Sequence, residues 1–134
     1  MYKYILRLSV LLLSICTYQN TFADYLFGLY PENNSTIEIQ TLEKSYGYKA
    51  PVVGFIFDTF TPSDADTLAR SIATLGTDRV YHITLSPFGY SSAQVAGGEF
   101  DAAYIRLFQT MKKSGVKFVF RTMHEMNGSW FSWS

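Results

Sequence analysis

Apolar and polar positions change along this chain on the scale of whole elements: short apolar runs alternate with stretches of helical spacing. Tyr25-Leu26-Phe27-Gly28-Leu29-Tyr30 is a first strand candidate, and Pro31-Glu32-Asn33-Asn34 a turn. Ser35-Thr36-Ile37-Glu38 has the form of a capping box, in which the Ser35 hydroxyl accepts the Glu38 amide and Glu38 reaches back. Ile39, Leu42 and Tyr46 recur at helical spacing, and Gly47 is placed to end that helix. Pro51 to Phe57 is apolar on both faces, as a buried parallel strand should be, and Asp58 follows it. Pro62-Ser63-Asp64-Ala65-Asp66 opens a second helix with acids at the positive end of its dipole. Leu68, Ile72 and Leu75 form its inner stripe, and Gly76 closes it. Arg79 to Leu85 is the third strand. A longer loop, Ser86 to Glu99, leads to a third helix from about Phe100 to Ser114, with Tyr104, Leu107, Phe108 and Met111 facing inward and Gly115 ending it. Val116 to Phe120 reads as a buried fourth strand.

The order β-α-β-α-β-α-β with apolar strands implies a parallel sheet with right-handed crossovers. A doubly wound sheet or a (β/α)8 TIM barrel would fit. No Gly-rich phosphate fingerprint follows the first strand, which disfavours the dinucleotide-binding form. Polar and aromatic residues gather after the strands, where a barrel keeps its site. A barrel needs eight such units and about 250 residues. Residues 24–134 therefore read as the N-terminal half of one, with the C-terminal half absent and an unpaired apolar edge on the last strand.

Residues 1–23 have the character of a secretory signal: Lys3 and Arg7, an apolar run from Ile5 to Ile15, then Thr21-Phe22-Ala23. The apolar core is short of the ~20 residues a membrane span needs. Cleavage after Ala23 is expected, giving a secreted protein with no membrane attachment. Cys16, the single cysteine, lies inside that segment, so thiol and disulfide chemistry is not expected in the mature chain. Cleavage would leave nine basic residues against eleven acidic ones. With no basic stripe, a nucleic-acid partner is not expected. Aromatic residues make up 17 % of the chain, and Trp130, Phe131 and Trp133 cluster beside polar groups, as on a surface that stacks on the apolar face of a sugar.

The chemistry concentrates after the fourth strand. Glu125, at the end of an apolar run and flanked by Met123, Met126 and aromatics, is expected to be partly desolvated and usable as a general acid. His124 precedes it. Strict alternation would put the two on opposite faces, so both reach one site only where the strand ends, as Asn127-Gly128 suggests. His-Glu begins the zinc motif H-E-x-x-H, but residue 128 is glycine, so no metal is expected. Arg121 shares parity with Glu125 and could orient a carboxylate or a substrate hydroxyl. Asp58 could line the mouth of the site or cap the next turn. His82 reads as packing. Trp130 is the favoured sugar contact, while Trp133 is platform or packing. Ser86 and Ser91 have no base at recognisable spacing, and no G-x-S-x-G elbow is present.

Arg121-Thr122-Met123-His124-Glu125-Met126-Asn127-Gly128-Ser129-Trp130-Phe131-Ser132-Trp133 resembles the acid/base signature of glycoside hydrolase family 26, typified by endo-β-1,4-mannanases. Gly97-Gly98-Glu99-Phe100-Asp101-Ala102-Ala103-Tyr104-Ile105 resembles that family's approach to its third helix. The resemblance is clear over residues 97–133 and faint before. It implies a TIM barrel with retaining chemistry, no cofactor and a polysaccharide substrate. Glu125 would match the general acid/base, His124 the histidine that helps hold the nucleophile, and Trp130 the tryptophan lining the subsite of the sugar being cleaved. The family's nucleophile, a glutamate after strand seven, has no counterpart in this sequence, so the chain alone is expected to be inactive. Alternatives are a mixed-linkage glucanase, a β-1,3-xylanase, or a non-catalytic carbohydrate-binding remnant.

Overall fold

The computed structural model describes residues 27–58 and 61–133. The segment read as a signal lies outside them, as do Tyr25 and Leu26 of the first strand candidate. The described elements run β1 (Gly28–Leu29), a 3-10 turn (Glu32–Asn34), α1 (Thr36–Tyr46), β2 (Val52–Phe57), α2 (Pro62–Leu75), β3 (Val80–Leu85), α3 (Ser92–Ala96), α4 (Asp101–Ser114) and β4 (Lys117–Thr122). The strands form one parallel sheet in the order β1-β2-β3-β4. A sheet in sequence order has no point at which the order reverses, unlike a doubly wound sheet, and it is compatible with part of a (β/α) fold. Among the described residues no helix is long and apolar enough to cross a membrane.

The pairing register sorts the strand residues by face. Val53, Phe55 and Phe57 align with Tyr81, Ile83 and Leu85, and these with Phe118, Phe120 and Thr122. The β2 and β3 members of this set are buried in one cluster with Leu68 and Ile72 of α2 and Leu107 and Met111 of α4. Helix packing thus claims one parity of the sheet. The other parity carries Gly54, Ile56, His82, Thr84, Val119 and Arg121.

Local signals act as the sequence suggests. Ser35 accepts from the Glu38 amide, and Gly47 (φ 61°) and Gly115 (φ 69°) close their helices in the left-handed conformation. A side-chain N-cap of this kind stabilises by about 1 kcal/mol. The return arm of the capping box is different from expectation. The Glu38 carboxylate accepts the amide of Glu32 at 2.9 Å, because the 3-10 turn brings that amide closer. The cap of α2 is Thr61 with Asp64, so Asp58 does not cap that helix. The loop from Ser86 to Glu99 contains α3, started by a Ser91/Gln94 capping box.

Three expected core positions are not core. Tyr46 is 74 % exposed, and Glu43 turns inward instead, to Arg79 and the Ala50 amide. Phe108 is 43 % exposed and packs against Phe120 with ring centroids 5.0 Å apart. β4 is mostly exposed rather than buried, because among the described residues no strand pairs with its outer edge. Val116 to Phe120 is thus not buried as read, and β4 forms the unpaired apolar edge expected of the last strand.

Candidate active site

β4 ends at Thr122, with one further ladder bond from the Met123 amide to Leu85 O at 3.1 Å. The backbone then leaves strand geometry. Met123 (φ 45°) and Glu125 (φ 57°) both occupy the left-handed region without being glycine. Such positions cost about 1–3 kcal/mol each and persist where surrounding contacts fix them. Here the Gly128 amide donates to Glu125 O at 2.9 Å, closing the turn. Strand alternation therefore stops before His124 and Glu125, and the two side chains make separate sets of contacts.

Glu125 meets Trp130. The indole Nε1–H donates to Glu125 Oε2 at 2.8 Å. Gly128 makes this possible: a Cβ there would fall 2.5 Å from Trp130 Cζ2, so any side chain would push the ring off the turn. Trp130 remains 66 % exposed, leaving an open aromatic surface beside a carboxylate. The burial expected around Glu125 is absent among the described residues. Glu125 is exposed, as are Met126 and Asn127, because the left-handed turn carries the carboxylate outward, away from the apolar strand that suggested desolvation.

His124 points inward. Its Nδ1 lies 2.8 Å from Ser86 Oγ, and its ring sits among Phe88, Phe131 and Trp133, at centroid distances of 6.4, 5.0 and 6.1 Å. Trp133 places its indole N–H on His124 O at 3.0 Å and stacks on Phe131 at 4.5 Å and 12°. The structure thus puts Trp133 in the packing that holds the turn. Ser132 Oγ donates to Tyr90 O at 2.6 Å, tying the same segment to the loop before α3. Ser86 was passed over in the sequence because no base lies near it in the chain; its partner is 38 residues away. Ser86 is fully buried, which suits it to orienting His124 and not to meeting a substrate. Replacing Ser86 with alanine strands a part-buried ring nitrogen and should destabilise the fold by about 1–3 kcal/mol. Urea unfolding measures this, and an unchanged midpoint would show that the bond contributes nothing net.

Arg121 and Asp58 lie elsewhere on the same sheet. Arg121 aligns with Thr84 on the face of His82. Burial lowers the His82 pKa and the Arg121 charge lowers it further. Burial raises the Tyr30 phenol, opposed by the Thr84 hydroxyl and then by Arg121. Tyr30 also meets His82 edge-on at 6.4 Å. His82 packs edge-on against Tyr30 as its reading as a packing residue suggests, with the Arg121 charge acting on both. Asp58, past the end of β2, is exposed and lines a cavity with Tyr30, Asn34 and Ile56. No group of three or more metal-binding side chains occurs among the described residues.

A carboxylate fixed by an exposed indole, past the C-terminal end of a parallel strand, is suited to proton transfer at a polyhydroxylated ligand stacked on that indole. No family model matches the sequence. Over 52 residues the chain is 36 % identical to Endoglucanase H of Acetivibrio thermocellus. The chain is related to a glycoside hydrolase over that stretch. The stretch is 39 % of this chain and spans only 6 % of that protein, and it supports no narrower family.

Proposed function

We propose that this chain carries the acid/base half of a retaining β-glycan hydrolase site, of the type found in glycoside hydrolase family 26, on part of a (β/α)8 barrel. A general glycosidase role is supported by the partial relationship to an endoglucanase. The observation that carries the finer reading is the Trp130–Glu125 contact at 2.8 Å, for which Gly128 leaves room and on which a left-handed Glu125 backbone converges. In the first step Glu125 donates its proton to the departing glycosidic oxygen. In the second it takes a proton from the water that releases the sugar. Retention requires a second carboxylate about 5–5.5 Å away as nucleophile. No Asp or Glu follows Glu125 in the sequence, and the nucleophile is assigned to polypeptide outside it. His124, fixed through Ser86 and Trp133, is a positioning residue. The substrate is a β-1,4-mannan and the protein is secreted after removal of residues 1–23.

A second reading, a β-glucan such as mixed-linkage glucan in place of mannan, is in keeping with the endoglucanase name of the matched relative. One experiment addresses both. The reading frame past Ser134 is sequenced and its whole product assayed on β-mannan, mixed-linkage glucan and β-1,3-xylan. Four further βα units with a glutamate after the seventh strand, and fastest release of reducing ends from mannan, is the expected result. Preference for the glucan selects the second reading. Mannan hydrolysis by the 134-residue chain alone would contradict the account of the nucleophile.

A further inference from the structure

The sequence holds four methionines, Met1, Met111, Met123 and Met126, and the three among the described residues stand in graded surroundings. Met126 is 64 % exposed and directly follows Glu125, whose backbone is left-handed. Met123 is half-buried. Its amide is held by Leu85 O at 3.1 Å, and it lines a cavity of about 500 Å³ with Tyr104 and Phe108 of α4 and Phe120 of β4. Met111 is buried in the core, on α4.

A thioether sulfur is a soft nucleophile with no proton to lose, so its reaction with a peroxide is set by access. The sulfur lone pair attacks one oxygen of hydrogen peroxide, an S–O bond forms, the O–O bond breaks and the departing oxygen leaves as water. Sulfur loses two electrons and the peroxide gains them. The product carries a polar, chiral S=O group in place of a flexible apolar sulfur. Its effect depends on position. At 126 the new oxygen lies in solvent, which satisfies it, and no packed contact is given up. At 123 it would face the rings of Tyr104, Phe108 and Phe120, where a polar group loses part of its water. At 111 the sulfur is out of reach until the close-packed core opens.

We propose that Met126 is a peroxide-modification site on the turn that carries Glu125. It takes oxygen first, reversibly and with the fold intact, while Met123 is the position at which further oxidation loosens the packing of α4 on β4. The proposal does not rest on the glycanase reading. Its test treats the 134-residue chain with excess hydrogen peroxide and maps timed samples by peptide mass. Met126 should gain ~16 Da at a rate about tenfold above that of Met123, with Met111 unmodified. Chains oxidised at Met126 alone should keep the parent's urea midpoint, and the midpoint should fall as Met123 reacts. Met126→Leu is close in volume and lies on an exposed residue, so it does not depend on repacking. It should abolish the fast gain and leave the slow one. Methionine sulfoxide reductase should remove the first oxygen from the folded chain. In urea, where the fold no longer sets access, the three methionines should react alike. Equal rates at Met126 and Met123 in the folded chain would overturn the proposal. So would a midpoint that falls with the first oxygen, or an order of reaction that persists in urea.

Discussion

Glu125→Gln should lower kcat/KM on unmodified β-glycan by about 10²–10⁴-fold, the contribution of a positioned general acid/base. The amide keeps the size of the side chain and its Oε1 can still accept the Trp130 indole N–H, so the turn should survive. Only the transferable proton is lost. An alcohol leaving group from a polysaccharide needs that proton, whereas an acidic phenol does not. The loss should therefore be large on polymer and much smaller on the first step of an aryl β-glycoside with an acidic leaving group. Equal losses on both would indicate that Glu125 binds substrate without transferring a proton. The comparison is made in the complete product of the reading frame, where the second carboxylate is expected.

The largest expected effect on stability comes from Glu43→Ala. The Arg79 side chain is 2 % exposed and its Nη1 sits 2.7 Å from Glu43 Oε1. The same oxygen accepts the Ala50 amide at 2.8 Å, so one carboxylate joins α1, the start of β2 and the start of β3. Among the described residues Arg79 Nε already has no partner. Removing Glu43 would leave a buried guanidinium without a counter-charge, which costs about 3–5 kcal/mol. Glu43→Gln, which keeps an acceptor for both donors, should cost less. A double variant with Leu at 43 and Met at 79 removes both charges and should recover much of the loss. Urea midpoints of the parent, Glu43→Leu, Arg79→Met and that double variant close the cycle that gives the coupling, and additive losses would show that the pair acts as two independent groups.

These expectations separate what pattern can show from what it cannot. Apolar runs located the described strands to within a residue or two, because burial of alternating or continuous apolar residues is local information. Ser35, Gly47, Gly76 and Gly115 marked helix ends through their own conformational needs. The stripe of Leu68, Ile72 and Leu75 is buried as read. Tyr46 and Phe108 failed for one reason: periodicity shows which positions share a face, and not whether anything covers that face; the open apolar edge of β4 was legible from the number of strands. The Ser91/Gln94 box was legible, since it has the same form as the signal at Ser35, yet α3 was read as loop. At the site, the turn at Asn127-Gly128 was legible from residue type. The Ser86–His124 bond, the seat of Tyr30 on Gly54, where a Cβ would meet the ring, and the fit of Trp130 over Gly128 were not. Each depends on residues brought together across the sheet or on space left by a missing Cβ. The exposure of Glu125 was not legible, because apolar neighbours in sequence do not enclose a carboxylate on a left-handed turn past the strand end, where Met126 is exposed as well.

Glu125 is proposed as the acid/base of a retaining site. Its most direct test is Glu125→Ala in the complete protein, assayed on an aryl β-mannoside with an acidic leaving group, with and without sodium azide. The leaving phenol needs no acid, so a glycosyl-enzyme should form and then stall without its base. Azide, which needs no deprotonation, should attack the anomeric carbon, displace the nucleophile carboxylate and restore turnover, giving the β-configured glycosyl azide. No acceleration by azide, or an azide of inverted configuration, would contradict the assignment.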